Sequence, residues 1–225
     1  ILTVEDPIEY MFRHQKSIVG QREVGIDTLS YDNALREAMR EAPDVVMIGE
    51  VRDRDTMEHA ISYADTGHLC LTTLHAVNTY QALDRIINMF PPEGKNQILM
   101  DLSLNLRAVI SQRLVPSRNG GRVPAVEVLL NSPYISELIR RGDLHEARDA
   151  VAKGSKDGMQ TFDQSLFQLY HAGEIDFETA LDHADSRSDL EWRINFGGGV
   201  DAAAGPPEET EDLEFPEGPE EAPSQ

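Results

Sequence analysis

The sequence predicts a doubly wound α/β core followed by a helical region. In its first half, short unbroken apolar runs alternate with segments that carry apolar residues at helical spacing. Unbroken apolar runs are typical of parallel strands covered on both faces, and their alternation with helices indicates crossover connections. We therefore expect a parallel sheet whose ligands lie beyond the carboxyl ends of its strands.

The first two strands are predicted on either side of one helix. Residues 1–4 (ILTV) form a short apolar run that a Glu-Asp-Pro breaker ends. A helix then begins after Ser30, whose hydroxyl can cap it, and ends before Pro43. The apolar face of this helix consists of Ala34, Leu35, Ala38 and Met39. The second strand is predicted at residues 44–50 (DVVMIGE).

A helix, a third strand and a further helix follow in the same pattern. The first helix is predicted at residues 55–64 and stops near Gly67, and residues 68–75 (HLCLTTLH) form the third strand. Asn78 can cap the next helix. Its apolar stripe consists of Ala82, Leu83, Ile86 and Ile87.

The character of the chain changes after Pro91. A long amphipathic segment at residues 96–114 leads to a strand candidate, AVEVLLN, at residues 125–131. Further helices are predicted at residues 133–141, 144–153, 161–172, 176–184 and 188–193. This series predicts a helical C-terminal subdomain attached to the α/β core.

Three regions are therefore expected: a core at residues 1–131, a helical subdomain at 132–196 and a tail at 197–225. The tail is rich in Gly, Pro and acids with few core-forming residues, which predicts disorder. The chain opens within an apparent strand and without Met. We interpret it as the C-terminal part of a longer protein.

The charge and composition narrow the classes of partner. The net charge is −20, and the nine acids of the tail leave −11 on residues 1–196. A body this acidic repels phosphate backbones, so we expect no nucleic-acid partner. No stretch approaches the roughly 18–20 apolar residues of a membrane span, so membrane contact is expected only through partners. The single cysteine, Cys70, excludes an internal disulfide and a cysteine-built zinc site.

Three polar residues stand where predicted strands end, namely Glu5, Glu50 and His75. Because the carboxyl ends of parallel strands share one edge of the sheet, these side chains are expected along one rim. An acid after a buried strand is where mononucleotide-binding folds place the group that handles magnesium. The alternative for Glu50 is a structural ion pair with Arg52 or Arg54.

For Glu5 and for His75, a functional and a structural interpretation are both open. Glu5 and Asp6 can supply a general base for water, or they can belong to an ordinary Asp-Pro turn. His75 can donate to a phosphate oxygen or play a structural part. His68 lies seven residues earlier and therefore on the opposite face of a strand, which excludes a shared metal site.

Three motifs together resemble one family. MREAPDVVMIGEVRD at residues 39–53 resembles the signature of the type II/type IV secretion ATPase superfamily. ILTVEDPIEY at residues 1–10 is similar to the Asp box of that family, and TGHLCLTTLHA at residues 66–76 is similar to its His box. The motifs follow the order and spacing of the family, and the resemblance extends over residues 1–196.

The branch of the superfamily can be narrowed further. The CxxC…CxxC element that usually marks pilus-assembly and type II secretion members is absent, since Cys70 is the only cysteine. Residues 101–116 and 158–170 instead resemble the twitching-motility retraction branch, closer to its PilU than to its PilT subfamily.

The resemblance implies a hexameric, RecA-like motor that binds ATP and Mg²⁺ between subunits and drives pilus retraction. It implies that Glu50 is the Walker B acid, which places Mg²⁺ through water, and that Glu5 activates the attacking water. His75 would couple the state of the γ-phosphate to conformation. Further nucleotide contacts are implied for Asp6, Arg22 and Arg52. For the two arginines, ordinary ion pairs remain the alternative.

The implied partners are other copies in a homo-hexamer, an inner-membrane pilus platform protein and a second retraction ATPase. The implied place is the cytoplasmic side of the inner membrane. No G-x-x-x-x-G-K-[ST] phosphate loop occurs in the sequence. We expect it upstream of Ile1, and we expect the 225-residue chain alone to be inactive. The alternatives are a non-catalytic subunit that modulates a partner motor, or another RecA-like motor acting in secretion, pilus assembly or nucleic-acid translocation.

Overall fold

The computed structural model describes residues 1–196, in which the strands lie before residue 131 and helices follow. The strands are β1 Leu2–Glu5, β2 Gly20–Glu23, β3 Val45–Ile48, β4 Leu69–Thr72, β5 Ala108–Pro116 and β6 Arg122–Leu130. The helices are α1 Tyr31–Ala38, α2 Arg54–Asp65, α3 Thr79–Asn88, α4 Lys95–Asn105, α5 Pro133–Arg141, α6 Leu144–Lys153, α7 Phe162–His171, α8 Phe177–Asp182 and α9 Arg187–Phe196. The predicted disordered tail at 197–225 lies outside the described residues.

The first four strands form a parallel sheet in the order β2-β1-β3-β4. Val4 of β1 pairs with Arg22 on one side and with Ile48 on the other, and Ile48 pairs with Thr72. The predicted α/β core with a parallel sheet is confirmed. β5 and β6 form a separate antiparallel pair.

Two elements differ from the sequence-based expectation. Strand β2 (Gly-Gln-Arg-Glu) has no apolar run, and it is a strand because its backbone pairs with β1 along the whole of its length. The amphipathic segment at 96–114 is helical only as far as Asn105, and its second half is strand β5. Its period changes after Leu106 because β5 buries alternate residues against the C-terminal helices rather than one helical stripe.

The two caps predicted from the sequence, Ser30 and Asn78, are in place, and Asp53 caps α2 in the same way. Ser30, Asp53 and Asn78 each accept the backbone N–H three residues ahead, at 3.2, 2.8 and 2.8 Å. These bonds satisfy donors that have no partner inside the helix, and each typically stabilises a helix by about 1 kcal/mol. The caps therefore fix where α1, α2 and α3 begin relative to the strands that precede them.

The two faces of the parallel sheet differ in burial. Leu2, Val4, Val46 and Ile48 lie on one face, and each is at most 4% exposed. On the other face, Leu69 and Leu71 remain 50% and 48% exposed. The expectation of apolar strands covered on both faces is therefore met by β1, whose Thr3 on this second face is 1% exposed, but not by the edge strand β4.

The hydrophobic side chains form two clusters. The first joins the parallel sheet to α1–α6, and the second joins α7–α9 to one end of the β5–β6 pair. Helices α5 and α6 contribute to the first cluster, through Ile135, Ile139 and Val151 among others. The proposed domain boundary at residue 131 stays a prediction. Among the described helices, none is long and apolar enough to cross a membrane.

The Cys70 thiol of β4 should react slowly in the native protein. Burial raises the pKa of this thiol from its ordinary 9.0 to about 11. Because the thiolate is the reacting species, alkylation by iodoacetamide at pH 8 should be about 100-fold slower in the native chain than in urea. Since the folded-state pKa is the higher one, this group's contribution to stability is complete below pH 9.0 and is lost as the pH rises towards 11.

Mass spectrometry of the alkylated chain measures both rates, and Cys70 is the sole cysteine, so no other thiol contributes. The urea-unfolded chain is the control for the reagent. Equal rates in the native and unfolded chains at pH 8 would contradict the burial of the Cys70 thiol.

Candidate functional site

The three polar residues predicted to share a rim follow the carboxyl ends of β1, β3 and β4. Glu5 is the last residue of β1, Glu50 lies two residues beyond β3, and His75 lies three residues beyond β4. The parallel register brings these ends to the same edge of the sheet. The sequence-based placement on one rim agrees with the register of the strands.

Gly49 allows the loops after β1 and β3 to approach closely. Its backbone N–H donates to the Val4 carbonyl at 2.7 Å. A Cβ atom at this position would lie 3.2 Å from the Cα and 3.4 Å from the Cγ of Glu5. A side chain at residue 49 would therefore press on Glu5, and glycine keeps Glu5 next to the loop that carries Glu50.

Glu50 is held between the side chains of Arg52 and His75. Its Oε2 accepts from Nε of Arg52 at 2.7 Å, and its Oε1 lies 3.1 Å from Nε2 of His75. Arg52 extends the group, because its Nη1 lies 3.6 Å from Oδ2 of Asp6. The hydrogen bond to Glu50 raises the pKa of the Arg52 guanidinium above its ordinary value. The structure thus brings Asp6, Glu50, Arg52 and His75 into one ionic cluster.

This geometry decides between the two arginines that the sequence offered to Glu50. Arg54 instead pairs with Glu58 at 2.7 Å, one turn along α2. The Glu50–Arg52 ion pair is compatible with a structural role and also with a carboxylate oriented for a ligand.

Glu5 is buried at the same rim, with 5% of its surface exposed. Its Oε1 accepts from Oγ1 of Thr3 at 2.6 Å and from Nε2 of Gln21 at 3.0 Å. Both bonds go to the same oxygen, so neither occupies Oε2. A carboxylate that is oriented by two donors and has an oxygen outside those bonds is suited to accept a proton from water.

Arg22 lies apart from the ionic cluster. It is on β2, and its guanidinium pairs with Glu41 and lies 3.9 Å from Glu37. His68 likewise stays away, because its Nδ1 lies 3.0 Å from Oγ1 of Thr66. A nucleotide contact by Arg22 stays a prediction.

Tyr31 belongs to the surroundings of the cluster, although sequence reasoning did not single it out. It is the first residue of α1, directly after the Ser30 cap. Burial raises the pKa of its phenol first, and the negative charge of Asp6 raises it further. The sequence held no signal for this role, since an aromatic residue at the start of a helix is ordinary core material.

The donors at the rim fit a magnesium ion that is shared with a substrate. Within residues 1–196, no three His, Cys, Asp or Glu side chains are grouped as a metal site. Mg²⁺ commonly takes only one or two carboxylates and completes its shell with water and substrate phosphates. Glu50 and Asp6, which both contact Arg52, supply carboxylates of that kind.

A pocket of about 700 Å³ opens beside the cluster, between the loop that carries His75 and helix α3. Its lining combines cationic and amide side chains with Asp84, which suits a polar, anionic ligand. The lining residues are Arg52, His75, Ala76, Tyr80, Gln81, Asp84, Arg85, Asn88 and Met89.

Comparison with known proteins places the chain in a family. The family model described as "Type II/IV secretion system protein" matches residues 1–170. The chain is 55% identical over 203 residues to the type IV pilus ATPase PilU of Pseudomonas aeruginosa. The aligned region covers 90% of this chain and 53% of that protein. It is 42% identical over 184 residues to PilT of the same organism, a type IV pilus retraction ATPase. This second alignment covers 82% of this chain and 54% of that protein.

Solved structures agree with the sequence comparison. The crystal structure of the pilus retraction motor PilT with bound ADP matches with a TM-score of 0.77 and 44% identity, over 85% of this chain and 54% of that one. The chain therefore spans about half the length of the relatives it matches. Of these two relatives, PilU has the higher identity, in the direction that the sequence motifs predict.

Proposed function

The chain belongs to the type II/IV secretion system protein family, and from this membership we propose that it is the catalytic half of an ATP-hydrolysing motor for type IV pilus retraction. The observation that carries the proposal is the cluster of Asp6, Glu50, Arg52 and His75 beside the buried Glu5. It stands at the carboxyl edge of a parallel sheet, where α/β folds bind nucleotides. The assignment to type IV pilus retraction comes from the similarity to PilU and PilT.

Each side chain has a part in phosphoryl transfer. Bound Mg²⁺ would neutralise charge that develops on the nucleotide phosphates. Glu50 would hold that ion through a water molecule, and Arg52, which donates to it at 2.7 Å, orients the Glu50 carboxylate. Asp6 and Arg22 would add polar contacts to the nucleotide.

Glu5 and His75 have separate parts at the γ-phosphate. Glu5 takes the proton of the attacking water at its Oε2 atom, because Thr3 and Gln21 hold the other oxygen. His75, whose Nε2 lies 3.1 Å from Oε1 of Glu50, would report the presence or loss of the γ-phosphate. A change in that contact would move the loop that carries His75.

The phosphate loop is proposed to come from residues that precede Ile1 in the natural protein. Strand β4 pairs with β3 along one edge, and its Leu69 and Leu71 are about half exposed. This apolar, one-sided strand fits a further strand and helix packed beside it. The proposed assembly is a homo-hexamer on the cytoplasmic side of the inner membrane, where a platform protein and a second retraction ATPase are its partners.

The test is steady-state release of phosphate from Mg-ATP. The protein produced from its natural gene, with any residues that precede Ile1, should hydrolyse ATP, and Glu50→Gln should lower that rate by roughly 100-fold or more. The 225-residue chain alone should give negligible turnover. Rapid hydrolysis by the isolated chain, or an unchanged rate in Glu50→Gln, would contradict the proposal. A natural protein that begins at Ile1 and is inactive would favour a subunit that modulates a catalytic partner.

A further inference from the structure

The loop that carries His75 is fixed at both of its ends. Before His75, Oγ1 of Thr73 donates to the Gly49 carbonyl at 2.5 Å. After it, the backbone N–H of Thr79 donates to Oε2 of Glu127 at 2.7 Å, and Glu127 is only 4% exposed. The loop is therefore tied to the end of β3 on one side and to β6 on the other.

One side chain connects the middle of this loop to the C-terminal helices. Arg113 of β5 donates from Nη2 to the Val77 carbonyl at 3.5 Å and from Nη1 to Oδ1 of Asp185 at 2.8 Å. The guanidinium also lies over the Phe162 ring, with Cζ 3.8 Å from its centroid. Val77 is two residues from His75, and Phe162 and Asp185 belong to the α7–α9 region.

The far end of this connection is itself held in place. Asp163 of α7 accepts the backbone N–H of Asp185 at 2.7 Å and that of Ser186 at 3.0 Å. Burial raises the pKa of the Asp163 carboxyl above its ordinary value. The segment that carries Asp185 therefore moves with α7, and a displacement of α7 displaces the partner of Arg113.

Arginine is suited to this position in a way that lysine is not. Its planar fork presents several donors in fixed directions and can stack on an aromatic ring at the same time. The Nε atom of Arg113 is buried without a hydrogen-bond partner among residues 1–196, an arrangement that costs free energy. The contacts on either side of the guanidinium hold it there nonetheless.

We propose that Arg113 is a positioning residue that couples the His75 loop to the α7–α9 helices. Movement of either side changes the geometry of the shared guanidinium and so biases the other. The purpose of this coupling rests on the proposed function: it would pass a change at the γ-phosphate to the C-terminal helices. The coupling itself is a property of the 225-residue chain and does not need ATP.

The experiment is hydrogen exchange of the Thr79 amide in the 225-residue chain, measured by NMR. This amide is protected by its bond to buried Glu127. Asp185→Asn weakens the bond that anchors Arg113 to the C-terminal helices, and this bond makes no contact with Thr79. It should raise exchange at Thr79 by about tenfold, and Arg113→Lys should do the same because a single ammonium cannot serve both sides.

A matched variant separates coupling from loss of an ion pair. Asp182→Asn also removes an arginine partner from the same helical region, but that pair, Asp182 with Arg187 at 2.9 Å, is on the surface with both side chains 62% exposed. It should leave Thr79 unchanged. The Gly49 amide, which bonds the Val4 carbonyl, is the reference for general loss of stability.

Faster exchange at Thr79 in Asp185→Asn, with Gly49 and the Asp182→Asn variant unchanged, is the expected result. The proposal is overturned if Thr79 exchanges equally in the two Asn variants, or if Gly49 accelerates as much as Thr79. Because no nucleotide is present, either outcome leaves the ATPase proposal untouched, and absence of ATP turnover in the natural protein would leave the exchange result standing.

Discussion

Glu5→Gln is expected to lower kcat for ATP hydrolysis by roughly 10²–10⁴-fold in the protein produced from its natural gene, the range that a positioned general base contributes. The amide oxygen of Gln can still accept the bonds from Thr3 and Gln21, which reach Glu5 at 2.6 and 3.0 Å. The fold at the rim is therefore kept. An amide cannot take a proton from water near neutral pH, so the loss falls on the chemical step.

The measurement is steady-state phosphate release together with nucleotide affinity, which should change little because Glu5 acts on water. Glu58→Gln is the matched control, since it makes the same change on α2, where Glu58 is 48% exposed and pairs with Arg54. It should leave kcat unaltered. A Glu5→Gln protein that keeps kcat within about threefold would show that the base lies elsewhere.

Phe162→Ala is expected to lower the free energy of unfolding by roughly 3–5 kcal/mol, the usual cost of removing a buried aromatic side chain. Phe162 is 0% exposed in the second hydrophobic cluster, and the Arg113 guanidinium rests on its ring. The substitution removes packing from α7 and leaves that guanidinium over a cavity. At about 2–4 °C per kcal/mol, Tm should fall by roughly 10 °C.

Urea unfolding followed by the fluorescence of Trp192, the only tryptophan, reports directly on the helices around Phe162. Phe196→Ala is the matched control, because Phe196 is 74% exposed on α9 and its removal should cost no more than about 0.5 kcal/mol. Equal losses in the two variants would contradict the packing of the second cluster.

The predicted strands and helices of the first 90 residues follow from local chemistry. ILTV, VVMI and LCLT are short apolar runs, and Ser30, Asp53 and Asn78 can each satisfy the free N–H groups of a helix start, so position and type are encoded nearby. Strand β2 was missed because Gly-Gln-Arg-Glu has no apolar pattern of its own. Its pairing with β1, some 18 residues earlier in register, is a long-range backbone property.

Local pattern and long-range pairing also differ in the second half of the amphipathic segment at 96–114. A helical period over its first half masks the switch to β5, which the antiparallel pairing with β6 decides. Local propensity is a weak prior when a partner strand supplies a full ladder of hydrogen bonds.

By itself, the sequence determined that Glu5, Glu50 and His75 end parallel strands, and therefore that they share an edge of the sheet. The tertiary structure decided which charges meet there: Arg52 rather than Arg54 reaches Glu50, Arg22 turns away to Glu41, and Tyr31 joins the surroundings of Asp6. The physical reason is that the position of an apolar strand along the chain and its side-chain alternation follow from short-range pattern. The partner of a long, flexible charged side chain depends instead on backbone segments that are distant in sequence and meet only in the folded chain.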